Sequence, residues 1–400
     1  MKYFLILCSI FLFAYFVRFN NFDQKIIFWT EQSRSIITSL EYLKKPSLLG
    51  QEYFRQDSNS HIIFSGAFFN YLLLPLILFS SLDPAKITVA FALLNIFTGL
   101  VVYLVAKQFY GVKAGIIASV LFLFNNYMIY HSYFIWNYNF LPLVGILILY
   151  ITLRNFSEYK LNYFLTLGIL SGIGIGLQIL FIAYALVTFL INIFKSKSKI
   201  ASFLMFVVGV IVGNLPMFLF DMRHNFYETT TIWKYFIDTL MGKSDASFSY
   251  YYLLPIFSVV PVFIGALLSR FNLLLISPVL GLYIFWNLKN PIPETIYLSV
   301  AEQKKAAEAI TLDAKKDFNV ASVIDFDKQA YPLRYFLIYQ FKKDPLPVTD
   351  YKGIKLLYVL APNGYNFAKS DTWEIKAGGA YKITKLTDVN NSYSVFKLSK

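Results

Sequence analysis

A mainly α-helical protein that crosses a membrane many times, followed by a small α/β domain, is the fold class this sequence predicts. Three observations carry the prediction. The 400 residues are 57% hydrophobic and 15% charged, with a mean hydropathy of +0.55, outside the range of soluble globular chains. Apolar runs near the ~20 residues needed to cross ~30 Å of hydrocarbon recur through the first 288 positions. From Asn290 onward the composition becomes that of a soluble domain. The 30 tyrosines and 41 phenylalanines suit a protein with many bilayer interfaces.

The net charge of +13 does not point to nucleic acid as a partner. Many of the lysines flank apolar runs, where topology and anionic lipid headgroups account for them. Cys8 is the single cysteine, which excludes an intrachain disulfide. The opening stretch MKYFLILCSIFLFAYFVRF is long enough to span and is followed by no small-residue cleavage site, so it reads as a retained signal anchor.

A polar loop begins at Asn20, and the next apolar run is 62–81 (IIFSGAFFNYLLLPLILFSS). Further runs are 87–106, 114–130, 140–153, 163–177, 179–194, 203–220, 250–268 and 271–286. If 62–81 crosses and the N-terminus is cytoplasmic, then Lys107, Lys113, Arg154, Lys160, Lys195, Lys197, Lys199 and Arg270 all fall outside. If 62–81 instead lies along the outer surface, or re-enters with a kink at Pro75, all of them are cytoplasmic, as the positive-inside rule prefers. The second arrangement gives about nine transmembrane helices and a large outer first loop, 20–86, carrying interfacial helices. It makes residues 1–288 a multi-pass cell-membrane domain and 289–400 an extracytoplasmic domain. In the latter, 300–316 and 328–339 read as helices, and 319–325, 354–360, 381–386 and 393–398 as strands, with NG and GG turns between. This domain has no glycine-rich phosphate loop, no histidine and no metal-ligand spacing, and no chemistry is assigned to it.

That topology gathers the polar residues on one face. Glu31, Arg34, Asp57 and His61 lie in the first outer loop, HSYFIWNYN (131–139) in the second, Gln178 at a tight turn, and FDMRHNF (220–226) in the last large loop. All three histidines are among them. A purely structural bundle would scatter such residues, so their convergence marks a candidate site.

Within FWTEQSRSIITSLEYL, Thr30 is the expected N-cap and Glu31 falls in the first helical turn. Ile36, Ile37, Leu40 and Leu43 make one apolar stripe, with Glu31, Arg34, Ser35, Thr38 and Glu41 opposite, so the helix is expected to lie in the interface. A helix N-terminus favours an ionised carboxylate, and Arg34 three residues on stabilises it or stands ready for a phosphate. Such a carboxylate suits a general base. The plainer reading is a solvated capping residue in an ion pair, and spacing alone leaves both open.

The other candidates divide in the same way. Asp57 and His61 are a second acid/base or phosphate-binding pair, or a polar loop. Arg223 and His224 grip a phosphate or anchor a helix end, with Asp221 orienting Arg223. His131, Trp136 and Asn137 line a substrate cleft or pack as interfacial aromatics. Gln178 faces the site or pairs helices. Ser171, Gly172, Gly174 and Gly176 fit close helix packing.

The stretches FWTEQSRSIITSLEYLKKPSLLGQ, SGAFFNYLLLPLILFSSLDP, VYLVAKQFYGVKAGIIASVLFLFN, SYFIWNYNFLP, GLQI and LFDMRHNF occur in an order that resembles the GT-C glycosyltransferases. The resemblance covers most of 20–226 and is greatest to the group of protein O-mannosyltransferases and aminoarabinose transferases, in its prokaryotic branch. It implies an inverting transferase that passes a sugar from a polyprenyl-phosphate donor to a hydroxyl of a protein, lipid or glycan. It places the catalytic carboxylate at Glu31, where the group more usually has aspartate; Asp57 is a second catalytic candidate from its own loop chemistry. Arg34, His61, Arg223 and His224 are then expected at the donor phosphate, and His131, Trp136, Asn137, Gln178 and Asp221 along the substrate cleft. No cofactor and no divalent metal is expected: the more distant oligosaccharyltransferases carry acidic metal ligands in the second outer loop, and HSYFIWNYN has no carboxylate. A lipid-linked-sugar flippase is the rival, but it calls for ionisable residues in mid-span, and the spans here are nearly free of them. A non-catalytic binding protein derived from such enzymes is the other.

Overall fold

The computed structural model describes residues 2–56, 60–158, 160–243, 249–292, 298–314, 317–324, 328–379 and 381–400. The chain begins with α1 (Lys2–Phe19), α2 (Phe22–Lys25) and α3 (Thr30–Glu41), followed by a hairpin of β1 (Leu49–Gln56) and β2 (Ile62–Gly66). Helices α4 (Phe68–Phe79), α5 (Pro84–Tyr110), α6 (Val112–Leu123), α7 (Asn126–Tyr130), α8 (Leu141–Glu158), α9 (Leu161–Leu177) and α10 (Phe181–Ile193) come next. After them come α11 (Lys199–Gly213), α12 (Leu215–Arg223), α13 (Tyr227–Leu240), α14 (Leu254–Leu268) and α15 (Leu273–Lys289). This is a polytopic membrane protein. Three helices among the described residues are long and apolar enough to cross, or up to five if each of two bent pairs is one span, and five shorter apolar helices accompany them.

The structure alters several sequence expectations. The run 62–81 does not start as a helix: its first residues form β2, paired antiparallel with β1, and α4 follows with Pro75 inside it. The expected span 114–130 is broken after Leu123 and bends by 61°, and 203–220 is broken at Asn214 and bends by 86°. Both breaks fall at asparagine, and at the first the side chain satisfies backbone groups that a helix end frees. Asn125 accepts from the N–H groups of Tyr127 (3.0 Å) and Met128 (3.3 Å), capping α7.

Two compact units can be described. The first comprises Met1–Asn20, Thr38–Pro75 and Val89–Pro293. Its helices α9 and α11 touch through glycines: a Cβ on Gly172 would lie 2.3 Å from the Val210 carbonyl, and one on Gly213 2.1 Å from that of Ile169. Small residues let backbones approach where lipid supplies no hydrophobic drive for association. Arg18, fully buried, donates to Ala14 O (3.2 Å), Asn95 Oδ1 (2.7 Å) and Leu123 O (2.8 Å), the last a carbonyl at the break in α6–α7. Irregular backbone at membrane depth needs such a partner.

The second unit comprises Asn21–Ile37, Leu76–Thr88 and Glu294–Lys400. It holds α16 (Val300–Asp313), closed by a Ser299/Glu302 capping box, and a four-stranded sheet of β3 (Asn319–Ser322), β4 (Leu356–Pro362), β5 (Lys382–Asp388) and β6 (Tyr393–Ser399) in the order β3-β4-β6-β5. The β3–β4 pair is parallel and the others antiparallel. The helix expected over 328–339 is a short α-helix, Tyr331–Tyr335, that widens into a π-type turn over Phe336–Gln340. Arg334 is buried there, donating to Leu346 O (2.8 Å) and Tyr351 Oη (2.9 Å), which removes the cost of an unpaired charge. Phe28 packs edge-on against Tyr335 and Phe336 at 5.4 and 5.7 Å, tying the start of the first loop to this unit.

Candidate active site

In the first unit, four separated segments meet at the end of α9. The carbonyl of Leu177, next to the buried Gln178, accepts from Asn137 Nδ2 (2.5 Å) and Tyr53 Oη (3.4 Å). The first-loop hairpin, the 131–139 segment and the Gln178 turn are thereby joined. Trp136 lies 5.0 Å from Tyr251 and 4.1 Å from Tyr138, bringing in the approach to α14.

His131 is buried in the same segment, its ring parallel to Trp136 at 5.8 Å and 4°. Its Nδ1 lies 2.7 Å from Asn139 Oδ1, and Asn139 Nδ2 donates to Phe134 O at 2.7 Å. The second bond fixes which end of the amide is oxygen, so Nδ1 carries the proton and Nε2 is left as a buried acceptor with no partner among the described residues.

The 220–226 segment forms a tight turn between α12 and α13, with Asn225 and Phe226 both at left-handed φ (54° and 56°). Asp221 is buried and does not orient Arg223. Its carboxylate accepts from Glu228 N (2.8 Å), Thr229 N (3.1 Å) and Thr229 Oγ1 (2.5 Å), capping α13 from the preceding helix. Arg223 and His224 are exposed at the turn; His224 stacks on Phe220 at 4.1 Å and its Nδ1 meets Phe220 O at 2.8 Å. His61 is exposed and packs edge-on to Tyr227 at 5.8 Å. Asp57 lies outside the described residues.

Sequence reasoning missed Glu228. It is fully buried, and its Oε1 accepts from Phe64 N at 2.7 Å. Burial, with Asp221 adding to it, pushes its carboxyl up to about 7 against the downward pull of the Phe64 N–H. The one available signal was a carboxylate two residues beyond FDMRHNF.

In the second unit, α3 starts differently from expectation. The cap is Trp29, whose N–H donates to Gln32 Oε1 at 3.0 Å, while the Thr30 hydroxyl is buried without a partner among the described residues. The helix does not lie with one polar face open. Gln32, Ser33, Ser35 and Ser39 are buried with Ile36, Ile37 and Leu40, and only Glu31 and Glu41 of the helix are exposed. Serines allow this because their hydroxyls return to the helix itself, Ser33 to Trp29 O and Ser35 to Glu31 O, each at 2.8 Å. Leu43, past the helix end, is exposed and not part of the stripe.

Glu31 is accessible to solvent, yet loss of surrounding water raises its carboxyl above the ordinary range, with the Arg34 charge pulling it back. The Arg34 guanidinium lies over the Tyr331 ring, 5.4 Å from its centroid. Glu31, Arg34 and Tyr331 are thus a carboxylate, a cation and an aromatic face drawn from two distant stretches of sequence.

Solved structures of ArnT from Cupriavidus metallidurans, an aminoarabinose transferase, are similar in fold over nearly the whole chain. With ArnT bound to undecaprenyl phosphate the TM-score is 0.61 at 11% identity, covering 98% of this chain and 97% of that one. With ArnT in the apo state it is 0.55 at 12% identity with the same coverage. No protein-family model matches the chain, and no curated protein matches it by sequence. At this identity the likeness is one of fold.

Proposed function

We propose that the protein is an inverting membrane glycosyltransferase that moves a sugar from a polyprenyl-phosphate donor to a hydroxyl acceptor at the outer face of the membrane. The full-length likeness to ArnT solved with undecaprenyl phosphate carries this reading. Glu31 is the proposed general base: it takes the proton of the acceptor hydroxyl as that oxygen attacks the anomeric carbon and the bond to the lipid phosphate breaks. A carboxylate whose proton affinity is raised by desolvation is the stronger base, provided it stays ionised at the working pH, and Arg34 favours the ionised form.

Arg34 also has the chemistry to meet the departing phosphate. Arg223, His224 and His61 are proposed as donor-phosphate ligands because they are exposed cations or hydrogen-bond donors in outer loops. His131, Trp136, Asn137 and Gln178 are proposed along the substrate cleft, with Asp221 supporting it as the cap of α13. Asp57 stays a second catalytic candidate on sequence grounds. The reaction is proposed to need no divalent metal, the leaving group being met by protein cations. The assignment of residues 1–288 to the membrane domain and 289–400 to the outer side, with a cytoplasmic N-terminus, belongs to the same proposal. A reporter fused after Ser81 that reads cytoplasmic would overturn that topology.

The deciding experiment incubates purified protein with a polyprenyl-phosphate sugar and an alcohol acceptor. Transfer by the wild type that is abolished in Glu31→Gln is expected. Unchanged turnover in Glu31→Gln would remove Glu31 as the base, and donor binding without any turnover would favour a non-catalytic protein.

A further inference from the structure

The β1–β2 hairpin is a sheet of two strands, so among the described residues each strand has one edge with no strand beside it. On β2 that edge is occupied by two side chains from the first turn of α13. Glu228 Oε1 accepts the Phe64 N–H at 2.7 Å, and Tyr227 Oη donates to the Ile62 carbonyl at 3.3 Å. Backbone groups two residues apart on a strand point to the same edge, so this N–H and C=O are the pair a neighbouring strand would take.

We propose that Glu228 is a positioning residue for the transfer reaction. Its carboxyl, with the Tyr227 hydroxyl, stands in for a third strand and fixes the first-loop hairpin to the Arg223–His224 turn. The role in catalysis rests on the glycosyltransferase reading; the docking of the hairpin does not. Two features say that this carboxyl does more than fill space. Its second oxygen, Oε2, is buried with no partner among the described residues, a poor environment for a full negative charge. Its own backbone N–H is held by Asp221, so the residue cannot swing away without uncapping α13.

The groups facing Glu228 make the docking sensitive to protons. Asp221 on α12 is a like charge, and the Tyr53 hydroxyl on β1 is pushed up chiefly by its own burial, with Glu228 adding to it. His61, Arg223 and His224 on the docked segments are exposed and do not share the burial of the carboxyl. Burial beside Asp221 favours the neutral acid. Because the folded value of about 7 lies above the ordinary range of a carboxyl, the docked state binds the proton more tightly than the open one. Docking is fully supported at low pH and weakens as pH rises through that value.

The test follows backbone hydrogen exchange of 62–66 in the full chain in detergent, from about pH 6 to about pH 9, normalised to the intrinsic rate, for wild type, Glu228→Gln and Glu228→Ala. Glu228→Gln keeps an oxygen for Phe64 and cannot ionise. Wild-type protection is expected to fall across neutrality. Glu228→Gln is expected to hold it flat, and Glu228→Ala to lose about tenfold at every pH. Turnover should follow the same pattern, low in Glu228→Ala, rescued in Glu228→Gln, and without the wild-type alkaline decline. Wild-type protection in Glu228→Ala overturns the proposal, as does a Glu228→Gln that behaves like Glu228→Ala. Absence of transfer by the wild type overturns the enzymatic reading and the role in it, while exchange still decides the docking.

Discussion

Arg34, in the first helix after α1 and α2, lies 5.4 Å above the ring of Tyr331, almost three hundred positions further along, about the distance at which a guanidinium is held by an aromatic face. Sequence reading assigned the C-terminal domain no chemistry. The contact gives it a task, orienting the cation beside Glu31. A cation–π contact at a partly open site contributes about 0.5–1 kcal/mol, roughly a two- to fivefold effect. Tyr331→Ala is therefore expected to raise KM for the lipid-linked donor by about that factor, and Tyr331→Phe, which keeps the ring, to leave it unchanged. Equal KM values in wild type and Tyr331→Ala would show that Arg34 needs no such support.

The protonation of Glu31 offers a check independent of the sugar used. Desolvation raises its carboxyl and Arg34 lowers it. A general base works when ionised, so transfer should rise with pH along an acid limb set by Glu31, displaced above the ordinary carboxylate range. Removing the cation in Arg34→Gln takes away the lowering influence, so the limb must move to higher pH, not lower. A pH–rate profile of kcat for the two proteins reads this directly. A limb that stays in place in Arg34→Gln would mean that the titrating group is not Glu31.

How much of this was legible beforehand follows the range of the interactions involved. Hydropathy located the apolar helices because each run needs only its own composition. It could not see that Ile62–Gly66 is a strand, since that depends on pairing with Leu49–Gln56, whose sequence LGQEYFRQ has no alternating pattern. The bends were written in the sequence as the Asn125–Asn126 pair and the single Asn214 within apolar runs, but averaging over a window hides them. Glu31 and Arg34 were reached through helix-start chemistry and family resemblance. Glu228 carries neither signal, and its importance lies in a backbone N–H contributed by Phe64.

The glycine contacts of α9 and α11 predict a graded result. Gly213→Ala would bring a Cβ to 2.1 Å from the Ile169 carbonyl, against backbone that cannot rotate away. Overpacking of this kind costs about 1–3 kcal/mol, so the thermal midpoint in detergent should drop by several degrees. Gly281→Ala, where no atom lies within 4 Å of the added Cβ, is the control and should be neutral or slightly stabilising. Equal midpoints for the two would rule out close approach as the reason for the glycines.

Arg18 is the most demanding case, because a fully buried cation at the end of an apolar helix stands where most substitutions by composition would favour leucine. Its three acceptors explain it: Ala14 O within its own helix, Asn95 Oδ1 on α5, and Leu123 O at the point where α6 breaks. The break leaves carbonyls that no helix satisfies and no water reaches, and the guanidinium supplies the missing donors. Arg18→Leu restores apolar character yet strands Leu123 O and Asn95 Oδ1, at about 1–3 kcal/mol for each buried group left unpaired. The double change Arg18→Leu with Asn95→Leu strands only the carbonyl, and is expected to recover part of the loss. Thermal unfolding of the two variants in detergent separates the accounts. A double variant no more stable than Arg18→Leu would show that the Leu123 carbonyl alone sets the cost, and an Arg18→Leu as stable as wild type would show that the broken span needs no donor there.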